Sequence, residues 1–213
     1  MDQFIRKMLG EVDDDLVITG GGVAYQRDMS YRVDVPYFEK CSGYDGSEVA
    51  DAIYAARLAL VGRFVSKHTR VLDIGAGSCE FVRRRPLTWG YDVDRRAATW
   101  LKMNGRWSAD FGAFSAFCMW DVIEHVEDPD YYIRHMTIGS RLFVTIPIFD
   151  DLRRIRESRH YRPGEHLYYW TKSGFMDWVR KYGFVVLDST SAESDAGRES
   201  VMSFALERIS GIL

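Results

Sequence analysis

The apolar positions divide the chain into three stretches. Residues 1 to about 45 show no regular period; they hold Gly20-Gly21-Gly22 and scattered aromatics, including Tyr25, Tyr31, Tyr37, Phe38 and Tyr44. The glycine triplet reads as a turn, because no Gly-Lys-Ser/Thr follows to make a phosphate loop. Ser47, followed by Ala50, Ala52, Ile53, Ala56, Leu58, Leu60 and Val61, predicts a capped amphipathic helix. From Arg70 to about Pro147, short apolar runs alternate with helical stretches, which predicts a parallel sheet covered by helices on both faces. Arg83-Arg84-Arg85-Pro86 cuts the first crossover helix short. Beyond it, Ser173 to Tyr182 reads as a helix ended by Gly183, and Phe184–Leu187 as a strand. Val201–Glu207 reads as a second strand with polar residues outward and apolar residues inward.

The most informative run is Arg70-Val71-Leu72-Asp73-Ile74-Gly75-Ala76-Gly77-Ser78-Cys79-Glu80-Phe81-Val82. A buried strand ends in an acid, turns tightly on two glycines and enters a helix. Glycine permits close approach of a nucleoside, yet the two glycines alone fit an ordinary strand–helix turn equally well. About twenty residues on, Trp89-Gly90-Tyr91-Asp92-Val93-Asp94 reads as a second strand ending in acids, where a carboxylate accepts from ribose hydroxyls. Phe81 and Val82 stand where a dinucleotide fold would carry its third glycine. The turn therefore favours a nucleoside cofactor without phosphates, such as S-adenosylmethionine, over a nicotinamide dinucleotide.

Composition narrows the class. With 213 residues, 46% hydrophobic and 28% charged, the chain can bury one sizeable core. A net charge of −3 implies no general attraction to nucleic acid, although a local basic patch stays open. Cys41, Cys79 and Cys118 are scattered and odd in number, which points to reduced thiols and a cytoplasmic setting. No apolar run approaches bilayer length, and the first residues lack the apolar core of a signal peptide.

Several runs together resemble the class I S-adenosylmethionine-dependent methyltransferases. Val71–Gly77 is similar to their first motif, and Gly90-Tyr91-Asp92 to their second. Trp120-Asp121-Val122-Ile123-Glu124-His125-Val126-Glu127-Asp128-Pro129 resembles the signature after the fourth strand of one large branch. Leu142–Pro147 resembles that branch's fifth strand, and Pro163–Thr171 its following loop and helix start. Tyr37-Phe38-Glu39-Lys40, Glu165–Tyr169 and Gly197-Arg198-Glu199-Ser200 resemble runs in phage and bacterial look-alikes. The resemblance spans about residues 60 to 208. It implies an α/β, Rossmann-like, doubly wound and mostly parallel sheet of seven strands, the last antiparallel. Residues 1–60 would form an N-terminal cap or lid with a lead-in helix, and residues 61–213 the cofactor-binding domain.

The resemblance also implies roles. Asp73, Gly75 and Gly77 would shape the pocket for the methionine part of the cofactor, Asp92 would hold the ribose, and Asp110 would meet the adenine amino group. Asp121 joins the cofactor contacts. Asp110 also fits a solvated loop acid, and Asp94 a helix-start acid. Cys79 stands where many relatives carry glycine, and leaves the turn intact unless a positive backbone angle is needed there. Phe111, Phe114, Phe117 and Trp120 fit either flanks of the adenine or plain core.

Glu124, His125 and His166 are the candidate catalytic groups, as general base or substrate contacts. In small-RNA 3′-end and ubiquinone-pathway methyltransferases a similar Glu-x-x-Glu-His run binds a divalent ion. Here Asp121 would replace the first glutamate, with His160 or His166 as the late partner of Mg²⁺ or Mn²⁺. Many relatives carry the Glu-His pair without metal. The run Asp150–Arg156 reads as a solvated face whose arginines could instead anchor an acidic substrate. The N-terminal tyrosines with Arg27 or Arg32 would form the lid.

The expected function is methyl transfer to an oxygen or nitrogen nucleophile of a small molecule, with a modified nucleotide as the other acceptor class. The Asn/Asp-Pro-Pro-Tyr/Phe motif of DNA base methylation and the paired cysteines of RNA cytosine methylation are missing. A non-catalytic S-adenosylmethionine- or nucleotide-binding regulatory module and a nicotinamide-dependent enzyme are the rival readings.

Overall fold

The computed structural model describes residues 15–29 and 46–211. Tyr31, Arg32, Tyr37, Phe38, Cys41 and Tyr44 lie outside the described residues. β1 (Leu16–Ile18) and β2 (Val23–Gln26) form a hairpin around Gly20 and Gly21, which agrees with a turn at the glycine triplet. α1 (Glu48–Phe64) starts at Ser47, whose side chain accepts the Ala50 N–H, and Glu48 and Asp51 suit the positive end of its dipole.

The alternating region then delivers β3 (Val71–Ile74), α2 (Glu80–Arg84), β4 (Thr88–Tyr91), α3 (Arg95–Met103), β5 (Ala116–Trp120), α4 (Pro129–Ile133) and β6 (Arg141–Pro147). α2 lasts only five residues and stops before Pro86. Asp94 caps α3 by accepting the Arg96 N–H, the helix-start role read from sequence. Next come β7 (Tyr168–Trp170), α5 (Lys172–Lys181), β8 (Phe184–Thr190), α6 (Ala192–Asp195) and β9 (Val201–Arg208).

The main sheet runs β4-β3-β5-β6-β9-β8, with β9 antiparallel to both neighbours and the rest parallel. This is the expected doubly wound sheet with its last strand antiparallel, but with six strands rather than seven. The segment crossing to the free edge of β4 makes a single parallel bridge, Gly90 to Trp107. Gly105 (φ +63°) turns that segment, and the short helical turn at Phe111–Ala113 follows too soon for a ladder to extend. A second, three-stranded sheet, β1-β2-β7, joins the N-terminal hairpin to the loop region after β6.

Both faces of the main sheet are covered. Leu72, Ile74, Phe117, Met119, Leu142, Val144, Phe175 and Phe204 pack on one side. Val71, Cys118, Trp120, Phe143, Ala205, Leu60, Val61 and Phe81 pack on the other. β3 and β5 are buried at every position, as continuous apolar runs in a parallel sheet should be. β9 departs from its expected alternation: Ser203 is buried rather than outward, because its hydroxyl meets Thr145 and Glu193 beneath the α1 side of the sheet. Among the described residues no helix is long and apolar enough to cross a membrane.

Candidate active site

At the carboxyl ends of β3 and β5 lies a cavity of about 340 Å³. One wall is the turn after β3. Gly75 (φ +71°), Gly77 (φ +52°) and Cys79 (φ +63°) all take left-handed backbone angles there. A Cβ on Gly75 would lie 2.4 Å from Val122 Cγ2, so glycine is required where the turn meets the loop after β5. The positive backbone angle that the sequence left conditional is present at Cys79, at a conformational cost that glycine would not carry. Asp92 braces the turn from the next strand: its carboxylate accepts the N–H groups of Gly77 (2.8 Å) and Asp94 (2.7 Å).

Asp73 is 1% exposed, and its Oδ1 has no hydrogen-bond partner. Burial pushes its carboxyl up to about 8, against the pull of the Arg57 guanidinium. At neutral pH this acid is therefore largely protonated.

The facing wall is built from side chains. Asp121 (φ +56°) ends β5, and its two oxygens are held by Arg57 (2.8 Å) and Arg198 (2.7 and 2.9 Å). Both arginines also grip Glu193, which Thr145 and Ser203 hydroxyls reach from below. Burial opposes ionisation of Asp121, yet the two guanidinium groups hold it well below the usual carboxylate range. Two cations thus neutralise two acids in a buried lattice with nearly every fork occupied.

Beyond this lattice, Glu124, His125 and His166 converge, with one ligand-type atom of each lying within 4.8 Å of the others. The two imidazoles meet edge to face at 4.7 Å, and His125 Nε2 stands 3.9 Å from Glu124 Oε1. His125 Nδ1 lies 2.7 Å from the Glu165 carbonyl oxygen. A carbonyl only accepts, so Nδ1 carries the proton and Nε2 the lone pair. Burial lowers His125 below an ordinary histidine and drives His166 down to about 2, with the neighbouring His125 adding to the latter. Burial, then Asp121, raises Glu124 well above a normal carboxyl. Glu124 Oε2 and His166 Nδ1 are buried without partners. The main chain locks the trio: Leu167 and Tyr168 donate N–H to the Glu124 carbonyl, and Tyr169 donates its hydroxyl to the His166 carbonyl.

The cavity brings together Asp73, Gly75, Gly77, Asp121, Glu124, His125 and His166. Asp92 lies behind the turn, and Asp110 is an exposed residue before a short helical turn, outside the cavity wall. Phe111, Phe114 and Phe117 are core; Trp120 sits in the wall. His160 also reaches the wall, but its Nε2 is turned to the Glu199 carbonyl (2.7 Å) and away from the trio. Arg153 and Arg154 are exposed and paired with Asp151 and Glu157, as a solvated face requires. Arg57, Glu193 and Arg198 carry no local signal of their roles; Arg198 stood out only within a run shared with look-alikes.

A sheet in this strand order with a nucleoside-sized cleft at its carboxyl edge defines a class I methyltransferase, and comparison agrees. A family described as a methyltransferase domain matches residues 34–189, so the chain belongs to that family. It is an S-adenosylmethionine-dependent methyltransferase. No curated protein matches the chain. Among solved structures, an S-adenosylmethionine-dependent methyltransferase from Thermotoga maritima is similar at 16% identity, with TM-score 0.59, over 81% of this chain and 96% of that one. One from Mesorhizobium loti is 14% identical over 74% and 100%, with TM-score 0.53. A Burkholderia thailandensis 1,6-didemethyltoxoflavin-N1-methyltransferase is 14% identical over 92% and 100%, also at 0.53. At such identities the likeness is one of fold.

Proposed function

We propose that this enzyme methylates an oxygen or nitrogen nucleophile of a small molecule or a modified nucleotide, with His125 as general base. The observation that supports this reading is the contact of His125 Nδ1 with the Glu165 carbonyl, which assigns the lone pair to Nε2 in a residue of the cavity wall. In the reaction the acceptor atom attacks the methyl carbon in line. The new bond to carbon forms as the carbon–sulfur bond breaks, and sulfur keeps that electron pair as a neutral thioether. The acceptor's proton passes to His125 Nε2. Gly75 and Gly77 receive the methionine part, and Asp92, whose oxygens each keep a lone pair, receives the ribose. Residues before the lead-in helix serve as the lid.

The test is a methyl-labelled donor incubated with separated small-molecule and RNA fractions. Label should enter the small-molecule fraction or free modified nucleotides. His125→Ala should lower turnover roughly 10²- to 10⁴-fold while S-adenosylhomocysteine still binds. Undiminished turnover in that variant would sink the base assignment.

A second reading rests on the unpartnered Glu124 Oε2 and His166 Nδ1. These residues with His125 Nε2 fit a divalent cation, and two imidazoles with one carboxylate suit Mn²⁺ better than Mg²⁺. Asp121, held by two arginines, would stay outside that set. A bound cation would lower the pKa of an acceptor hydroxyl. Full turnover in chelator would exclude this reading.

A further inference from the structure

The charged side chains of the cavity wall do not balance. Burial drives Asp73 and Glu124 towards their neutral forms, and Asp121 is shared between Arg57 and Arg198, which Glu193 also holds. Two further guanidinium groups of the wall stand outside that lattice: Arg159 and Arg162, both on the loop between β6 and β7. Their acids hold them loosely. Arg159 lies 3.5 Å from Glu199, which is outside the wall, and the two side chains are 60% and 73% exposed. Arg162 reaches Glu165 at 2.9 Å in a partly exposed pair. Exposed pairs of this kind contribute little, and a guanidinium has five N–H donors, more than one carboxylate uses. Burial lowers the pKa of His160, and Arg159, Arg162 and Arg198 push it further. All three guanidinium groups therefore lie within electrostatic reach of one neutral imidazole in the wall.

The loop that carries these arginines also carries the partner of His125. Glu165 joins the two: its carbonyl oxygen accepts from His125 Nδ1, and its carboxylate accepts from Arg162 Nη1. Arg153 and Arg154, the arginines to which the sequence points for an acidic substrate, lie outside the wall and pair with acids in solvent. Resting on the methyl-transfer reading above, we propose that Arg159 and Arg162 bind an anionic group of the acceptor, a carboxylate or a phosphate, which anchors it and is not the group methylated. Either group presents paired oxygens that a guanidinium fork fits. A cationic cleft in a chain of net charge −3 concentrates such anions at the cleft rather than over the whole surface. The acceptor keeps this charge through the reaction, and its anchored end sits beside the residue that orients the base.

The test uses the full chain, methyl-labelled donor and a small-molecule extract. Label should appear in compounds that an anion-exchange resin retains at neutral pH. Phosphatase separates the two sources of charge: it frees the label where the anchor is a phosphate and leaves it retained where the anchor is a carboxylate. With the desalted, resin-retained pool as acceptor, the double variant Arg159→Gln/Arg162→Gln should raise KM roughly 10- to 100-fold, the worth of one charge-assisted contact. Its S-adenosylhomocysteine affinity should stay within a few-fold, which also guards against a folding defect. Added salt should raise the wild-type KM, and that dependence should flatten in the glutamine pair and persist in Arg159→Lys/Arg162→Lys, where the charges remain. Label only in compounds the resin does not retain overturns the anchor and leaves methyl transfer standing. An unchanged KM and salt dependence in the glutamine pair does the same, as does loss of S-adenosylhomocysteine binding in the lysine pair, which would put these arginines at the donor. No label in any small molecule overturns the methyl-transfer reading and the anchor with it.

Discussion

The two walls of the cavity are made by opposite means. The turn from Asp73 to Cys79 is shaped by backbone: three left-handed residues within five positions and a carboxylate from β4 that braces a main-chain amide. The facing wall is shaped by side chains drawn from α1, the loops after β5 and β6, and the excursion between β8 and β9. A backbone-shaped surface presents amides and little bulk, and so fits one invariant ligand closely. A side-chain surface can be exchanged residue by residue without altering the sheet beneath it. That division suits an enzyme whose donor is constant and whose acceptor differs among relatives.

The largest effect should come from breaking the side-chain wall at its centre. Glu193→Ala leaves Arg57 and Arg198 buried with one acid between them. Loss of one partner from such a lattice should cost about 3–5 kcal/mol. Thermal unfolding should show a drop on the order of 10 °C for a chain this size. A drop of under a degree would mean that the lattice is not the framework of that wall.

Gly75→Ala strikes where the walls touch. The added methyl meets Val122 and must hold a positive φ, so a loss of about 1–3 kcal/mol is expected, with weaker S-adenosylhomocysteine binding. Neutral behaviour would mean that the turn and the loop after β5 move apart freely.

Acid and base should separate the walls more gently. Asp73 holds its proton in the folded state to about pH 8, while an unfolded aspartate loses it near 4. Its contribution is therefore full below pH 4 and lost as pH rises to about 8. His166 stays neutral when folded, so its contribution is full above about 6.5 and lost as pH falls towards 2. In denaturant titrations between pH 4 and 9, Asp73→Asn should flatten the alkaline slope, Glu124 keeping a remainder. His166→Gln should flatten the acid slope. The reverse assignment of slopes would contradict the burial described for both residues.

Legibility followed the same division. The turn, Asp92 and the Glu124-His125 pair are near neighbours in sequence, so strand ends and glycines announced them. The capped start of α1 and the truncation of α2 before Pro86 were equally local. Arg57 looks like any polar residue of an alanine-rich helix, and Glu193 and Arg198 lie in a polar stretch without periodicity. The bonds that tie Arg57 to Glu193 and Asp121, and Arg198 to Asp121, join residues 64 to 136 positions apart, beyond what any window registers. Ser203 failed for a related reason: alternation marks it as outward, but a buried acid from α6 gives that face a polar interior. The missing edge strand depended on how few residues separate Gly105 from Phe111, a question of length rather than pattern.

The bond between Arg57 and Glu193 also sets a timetable. During synthesis Arg57 leaves the ribosome 136 residues before the acid that neutralises it. At ordinary elongation rates that is a wait on the order of ten seconds. The turn after β3 can form early, with β3, β4 and β5 already available, while the facing wall must await Glu193 and Arg198. A nascent chain thus holds the glycine turn, in this order of synthesis, before it can close the charged lattice of the wall that faces it.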